Sequence, residues 1–257
     1  MKWDAEKYDR VNIQQFESGR ELMALANVKE TESILDLGCG TGKLTAEMAG
    51  LAFKGNVLGI DPSTGMIKKA RERCSAIRNV TLEHIPAQAM TYTGKFDLVF
   101  SNLALQWIND IHRVAGLIYQ SLKRGGRIAF QLPASNFSPE FFECINRVIR
   151  DLRYELIFRD WRPPWYLPTE NDYLEFLCIA GFENVRVFPK KFRLKFESAN
   201  DAVDWWSLGL GPYMEQLTER EQNRFQYAFA MNSEDFRSND VIEFGMNRLF
   251  AFGEKQR

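Results

Sequence analysis

Between Ile34 and Gly42 an apolar run enters a turn with glycine at every second position, Asp36-Leu37-Gly38-Cys39-Gly40-Thr41-Gly42. Glycine has no Cβ, so the backbone can turn tightly and can approach a ligand closely. A buried strand that feeds such a turn and then a helix is the repeating unit of a parallel α/β sheet. The free N–H groups at the start of that helix face whatever the turn admits. A dinucleotide-binding turn reads G-x-G-x-x-G, whose third glycine would fall at position 43. Lys43 stands there, so the spacing counts against a nicotinamide cofactor. The next apolar run ends in Gly59-Ile60-Asp61. Asp61 lies close to the roughly 20-residue offset at which a carboxylate meets a ribose diol. A nucleoside-type cofactor is expected, with Asp61 on its ribose.

Short β-rich runs alternate with amphipathic stretches from about 12 to 132, the pattern of a parallel sheet covered on both faces. Strands are expected near 33–38, 56–60, 80–84, 96–101 and 126–132, with helices near 12–27, 42–50, 63–76, 110–122 and 137–151. Right-handed crossovers then bring Gly38, Asp61 and Asn102 to the carboxyl ends of neighbouring strands. Beyond 133 the texture becomes aromatic, with Phe141, Phe142, Trp161, Trp165 and Tyr166 around Pro163-Pro164. Residues 185–196 and 241–252 read as strands, and 199–234 reads as helical. Net charge is −1, which provides no field for nucleic acid or an anionic membrane. No run of 18 apolar residues and no signal-like amino terminus occurs, so a cytoplasmic location is expected. Four scattered cysteines and two histidines without nearby partners point to no metal and no disulfide framework.

The ordered series of Asp36 to Gly42, Asp61, Phe96-Asp97-Leu98-Val99-Phe100-Ser101-Asn102 and Leu122-Lys123-Arg124-Gly125-Gly126 resembles the class I S-adenosylmethionine-dependent methyltransferases. That resemblance implies a Rossmann-like, doubly wound seven-stranded sheet, mostly parallel with an antiparallel last strand, and a helical cap. It implies one methyltransferase domain over 1–257, with a cofactor core at 1–133 and cap or acceptor-binding segments at 134–182 and 199–234. S-adenosylmethionine would meet Asp36, Gly38, Gly40, Thr41, Asp61 and Asn102, with Met66 packing on adenine. Where the family usually has an Asp before an Ala, this chain has Pro86-Ala87, leaving the Ala87 N–H and Gln88 to read the ring.

Asn102 is not followed by Pro-Pro-Tyr, which disfavours methylation of an amino group on a base. Ser101-Asn102-Leu103-Ala104-Leu105-Gln106-Trp107 instead resembles the segment of small-molecule methyltransferases that esterify carboxylates, the trans-aconitate and malonyl-acyl-carrier-protein methyltransferases among them. Trp3-Asp4-x-x-x-Tyr8, Gln131-Leu132-Pro133 and Asp204-Trp205-Trp206 resemble the trans-aconitate group. A carboxylate is already ionised at neutral pH and needs no general base, so the protein has only to orient it. Gln106, Trp107 and Gln131 are candidate neutral donors, and Tyr8, Arg162, Tyr166 and Trp206 are further acceptor ligands. The expected acceptor is a small molecule methylated on a carboxylate oxygen. A carrier-protein-bound acyl group, a hydroxyl or carbon acceptor, and a non-catalytic S-adenosylmethionine-binding protein remain alternatives. Lys190-Lys191 and Lys123-Arg124 could dock an acidic carrier protein, and a monomer or homodimer is expected.

Overall fold

The computed structural model describes residues 5–11 and 13–257, so Trp3 and Asp4 of the amino-terminal pattern lie outside the described residues. In chain order the elements are α1 (Ala5–Val11), α2 (Ile13–Ala26), β1 (Ser33–Leu37), α3 (Lys43–Leu51), β2 (Asn56–Ile60), α4 (Thr64–Cys74), β3 (Val80–Glu83), β4 (Phe96–Asn102), α5 (Ile111–Ser121) and β5 (Leu122–Pro133). There follow α6 (Pro139–Asp151), α7 (Glu155–Phe158), α8 (Glu170–Ile179), β6 (Glu183–Phe196), α9 (Ala199–Met214), α10 (Glu219–Ser233), β7 (Arg237–Ser238) and β8 (Val241–Glu254). The sheet runs β3-β2-β1-β4-β5-β8-β6, with β7 paired to β8. The pairings β1 with β2, β1 with β4, β2 with β3 and β4 with β5 are all parallel. The strand order steps outward from β1 in both directions, which is the doubly wound arrangement.

Every residue of β1 is buried, as expected of a strand covered on both faces. Register sets Asp36 beside Gly59 on β2 and Phe100 on β4, and Asn102 beside Gln131 on β5. Helices α4 and α5 start on side-chain caps: Ser63 accepts from the Met66 N–H, and Asp110 from the Arg113 N–H. The stretch expected to be helical over 199–234 is two helices. Each starts at a reciprocal capping box, Ser198 with Asp201 and Thr218 with Glu221. The sheet has an eighth member, β7, whose two residues are too short to leave a periodic pattern.

The chain forms two compact units. The first contains the described residues up to Ser135, Tyr166–Lys190 and Leu249–Arg257. Its core joins Leu35, Leu58, Val99 and Ile128 from the strands to Val114 and Ile118 of α5. The second contains Asn136–Trp165 and Lys191–Arg248, and its core is aromatic: Phe141, Trp206, Tyr213, Phe225, Phe229 and Phe244. Residues 166–182, expected with the cap, therefore fold with the sheet, because Tyr173, Phe176, Leu177 and Phe182 pack into the first core. No described helix is long and apolar enough to cross a membrane.

Candidate functional site

The glycine turn is held from below and behind. The Gly38 and Cys39 N–H groups donate to the Ile60 carbonyl at 2.9 and 3.0 Å, and the Ser101 hydroxyl donates to the Leu37 carbonyl at 2.8 Å. The loop is thereby locked to the ends of β2 and β4. Gly38, Gly40 and Gly42 all have positive φ, and a Cβ built on Gly40 meets nothing within 4 Å. A ligand can therefore come against the backbone at Gly40.

Two buried carboxylates flank the turn. Asp36 accepts the Thr45 hydroxyl at 2.6 Å. Asp61 accepts the Gly40 N–H at 3.0 Å on one oxygen and the Ser63 N–H at 2.8 Å on the other. Each oxygen of Asp61 keeps a lone pair for a ligand hydroxyl. Burial raises Asp61 above the usual carboxylate range, against the pull of those backbone bonds and of His84. Burial pushes Asp36 up to about 7; the Thr45 hydrogen bond opposes this, and the Asp61 charge adds to it.

The raised value has a consequence for stability. The folded chain keeps a proton on Asp36 that the unfolded chain gives up near 3.8. Stability from this group is fully present below pH 3.8 and is lost as pH rises toward 7, with a limiting slope of about 1.4 kcal/mol per pH unit. Denaturant titrations at several pH values should therefore show a flatter decline between pH 4 and 7 in Asp36→Asn than in the parent. Equal slopes would mean that Asp36 is ionised in the folded protein.

Over the turn lies a crevice of about 50 Å³, lined by Asp36 and residues Gly38 to Thr41, by Lys43 and Leu44, by Asn102, and by Tyr8, Gln15 and Phe16. Its volume accommodates one small polar group or one end of a larger ligand. Helix α1 is tied across it by Asp9, which accepts the Thr41 hydroxyl at 2.6 Å and pairs with Arg73 at 2.6 Å and Lys43 at 3.3 Å. Burial works against the Asp9 charge, but the bonds from Thr41 and Arg73 and the charges of Arg73 and Lys43 outweigh it and hold the carboxyl below its usual range.

The structure brings Tyr8, Asp36, Gly38, Gly40, Thr41 and Asn102 around the crevice, with Asp61 bonded to its floor. Thr41 differs from expectation in one respect, since its hydroxyl is given to Asp9. Met66 and Ala87 are buried and Gln88 is half-buried, and none of the three lines the crevice. Asn102 donates from Nδ2 to the Gln15 carbonyl at 3.1 Å, while its Oδ1 is buried without a partner. The next residue, Leu103, has φ of 55° and donates its N–H to the Gln131 carbonyl. That strained position at the end of β4 is characteristic of a functional loop.

Three of the residues expected at the acceptor have other neighbours in the structure. The Gln131 carboxamide is fully buried and bonded at both ends to Ser18, by Nε2 to the carbonyl and by Oε1 to the hydroxyl, so it joins β5 to α2. Gln106 spends Nε2 on the Leu103 carbonyl at 2.8 Å, and its unsatisfied atom is the oxygen, an acceptor. Trp206 is 2% exposed and stacks on Phe141 at 4.3 Å, so its ring fills the second core. Trp107 is half-buried in a short 3-10 turn, Leu105–Trp107. Tyr166 donates its backbone N–H to the Gln106 carbonyl and packs near Tyr173 and Phe176. Arg162 is exposed and donates to the Arg159 and Trp161 carbonyls. His84 hydrogen-bonds the Pro62 carbonyl, next to Asp61, and His112 packs on Phe176.

Residues not anticipated are Gln15 and Phe16 in the crevice wall and the Asp9–Arg73 clasp. Gln15 had a signal in the sequence. The buried face of α2 includes Ser18, Gly19, Leu22, Met23 and Ala26, and Gln15 continues that stripe one turn earlier. Among the described residues, no group of three or more His, Cys, Asp or Glu is placed to hold a metal ion.

A family model described as a methyltransferase domain matches residues 28–173. The chain is 28% identical to the trans-aconitate 2-methyltransferase of Deinococcus radiodurans over 230 residues, which covers 88% of this chain and 87% of that protein. It is 28% identical to the trans-aconitate 2-methyltransferase of Escherichia coli O1:K1 over 258 residues, 98% of each chain. Among solved structures, a methyltransferase-like protein from Bacillus halodurans superposes with a TM-score of 0.64 at 20% identity, covering 94% of this chain and all of the other. Phosphoethanolamine N-methyltransferase 2 of Haemonchus contortus, solved with S-adenosylhomocysteine, gives 0.64 at 18% identity, covering 98% of this chain and 57% of that one. At those identities the structural likeness concerns the fold.

Proposed function

The chain belongs to the methyltransferase domain family and is an S-adenosylmethionine-dependent methyltransferase, and we propose that it esterifies a carboxylate of a small organic acid. The observation that carries the acid is the match along 98% of the chain to a trans-aconitate 2-methyltransferase. Residues of the site suit the cofactor. The backbone at Gly40 is open to approach, Asp61 offers charged acceptors to a ribose, and the oxygens of Gln15 and Asn102 are buried without donors.

When bound, the cofactor supplies an electrophilic methyl group on a sulfonium, open to in-line attack. The protein's part is to bind, orient and dry. Gly38 to Thr41 provide backbone against the ligand, and Asp61 fixes both the turn and the ribose. Tyr8, on the helix tied down by the Asp9 clasp, and Phe16 of α2 exclude water from that end. A carboxylate acceptor with a pKa of about 4 needs no base to ionise it, which fits a crevice whose lining includes no histidine.

One observation favours a second reading. Gln106 has a buried acceptor oxygen without a partner, while one of its N–H groups is given to the Leu103 carbonyl, and an acceptor oxygen suits a hydroxyl substrate better than a carboxylate. The deciding experiment is transfer of labelled methyl from the cofactor to a panel of di- and tricarboxylic acids, monocarboxylic acids and their alcohol counterparts. A base-labile labelled product from an acid is expected. A base-stable product formed from the alcohols alone would replace the ester reading with the hydroxyl one.

A further inference from the structure

We propose that Gln15 is a cofactor ligand, and that its Oε1 together with Asn102 Oδ1 receives the ammonium group at the amino-acid end of the cofactor. The inference rests on the reading of the chain as an S-adenosylmethionine-dependent enzyme and adds a residue outside the glycine motif. Four observations lead to it.

Both oxygens are buried without a hydrogen-bond partner, and both residues line the crevice over the glycine turn. The orientation of Asn102 is fixed by chemistry. The atom facing the Gln15 carbonyl must be a donor, so Nδ2 points there at 3.1 Å and Oδ1 is turned away. Helix α2 comes this near to β4 because position 19 is glycine. A Cβ there would lie 2.4 Å from Leu44 Cδ1 and 2.9 Å from Asn102 Nδ2. Gln15, one turn earlier on the same face, is thereby set against the crevice. Finally, the Asp36 carboxyl lines the same crevice and, protonated or not, keeps acceptor lone pairs there.

Two buried, unsatisfied acceptor oxygens select a group that brings several hydrogen-bond donors. The cofactor's own carboxylate is excluded, since it only accepts, and the sulfonium has no N–H to give. The adenine amine is neutral and lies beyond the ribose, whose ligand Asp61 is not part of this crevice wall. The ammonium has three donors and a full charge, and neutral carboxamide oxygens can bind it in both the methylated and the demethylated cofactor.

The test is isothermal titration of the full-length protein and its Gln15→Leu and Gln15→Glu variants with three ligands: S-adenosylmethionine, S-adenosylhomocysteine and 5′-methylthioadenosine. The last keeps the nucleoside and sulfur but has no ammonium. In Gln15→Leu, the first two should bind about 10- to 100-fold more weakly, and 5′-methylthioadenosine should bind as it does to the parent. Gln15→Glu keeps an acceptor and should retain affinity for the first two. Equal weakening for all three ligands would assign Gln15 a packing role and overturn the proposal, as would undiminished affinity for S-adenosylmethionine in Gln15→Leu. A parent protein that bound none of the three would refute the cofactor reading itself, an outcome distinct from either.

Discussion

Asp61→Ala should weaken S-adenosylmethionine binding by about 100-fold or more. Asp61 is 9% exposed, and its oxygens already hold the Gly40 and Ser63 N–H groups. Removing the side chain leaves two backbone donors without their acceptor and, on the proposed reading, withdraws the carboxylate from the ribose hydroxyls. Hydrogen bonds to charged groups contribute about 1.5–3 kcal/mol each, and 1.4 kcal/mol is a factor of ten in affinity. Two such losses exceed the 100-fold mark even at the lower value. Asp61→Asn keeps one acceptor oxygen and should fall between the two, at about 10-fold. The ribose contribution can be separated from the turn by titrating S-adenosylhomocysteine and its 2′,3′-dideoxy analogue against parent and Asp61→Ala. If Asp61 touches the diol, the substitution costs the natural ligand more than the analogue, and the difference is the coupling between them. Identical losses for both would confine Asp61 to supporting the glycine turn.

How far the sequence could be read depends on the range of the interaction concerned. The strand and turn at 34–42, the carboxylate at the end of β2 and Asn102 at the end of β4 were legible because each is a local pattern, and a parallel sheet brings strand ends together by rule. The tail of the fold was legible only as texture. Residues 166–182 look like the aromatic segment before them, and only their packing beneath the sheet through Tyr173 and Phe176 assigns them to the first unit. Side-chain roles were the least legible. Gln131 and Gln106 were reasonable donors by type and position, but a carboxamide has two ends, and which end is spent depends on neighbours distant in sequence or on local backbone shape: Ser18 for one, the strained Leu103 turn for the other. Asp9 could not be read at all, because its partners Thr41 and Arg73 lie 32 and 64 residues away.

Gly38 and Gly40 sit two residues apart with the same sign of φ, yet their replacement by alanine should fail in different ways. At Gly38, φ is +76° and a Cβ would lie 2.2 Å from the Cβ of Ala104. Left-handed backbone costs a non-glycine residue about 1–2 kcal/mol, and overpacking a tight contact about 1–3 kcal/mol more. The combined loss of about 2–5 kcal/mol is a large part of the ~5–15 kcal/mol that holds a typical domain folded, and should lower the melting temperature by roughly 5–15 °C. At Gly40, φ is +54° and a Cβ would meet nothing within 4 Å. Only the backbone term of about 1–2 kcal/mol applies there, a fall of a few degrees. On the proposed reading the new methyl group would stand against the cofactor, and S-adenosylmethionine affinity should drop by about tenfold or more, since displacing a close backbone contact forfeits at least one hydrogen bond's worth of binding. Differential scanning calorimetry and titration calorimetry on the two variants give the comparison directly: Gly38→Ala is expected to lose mainly stability, Gly40→Ala mainly affinity. Were Gly40→Ala to bind S-adenosylmethionine as the parent does, the cofactor would not approach the turn at that residue, and the open space above it would serve some other purpose.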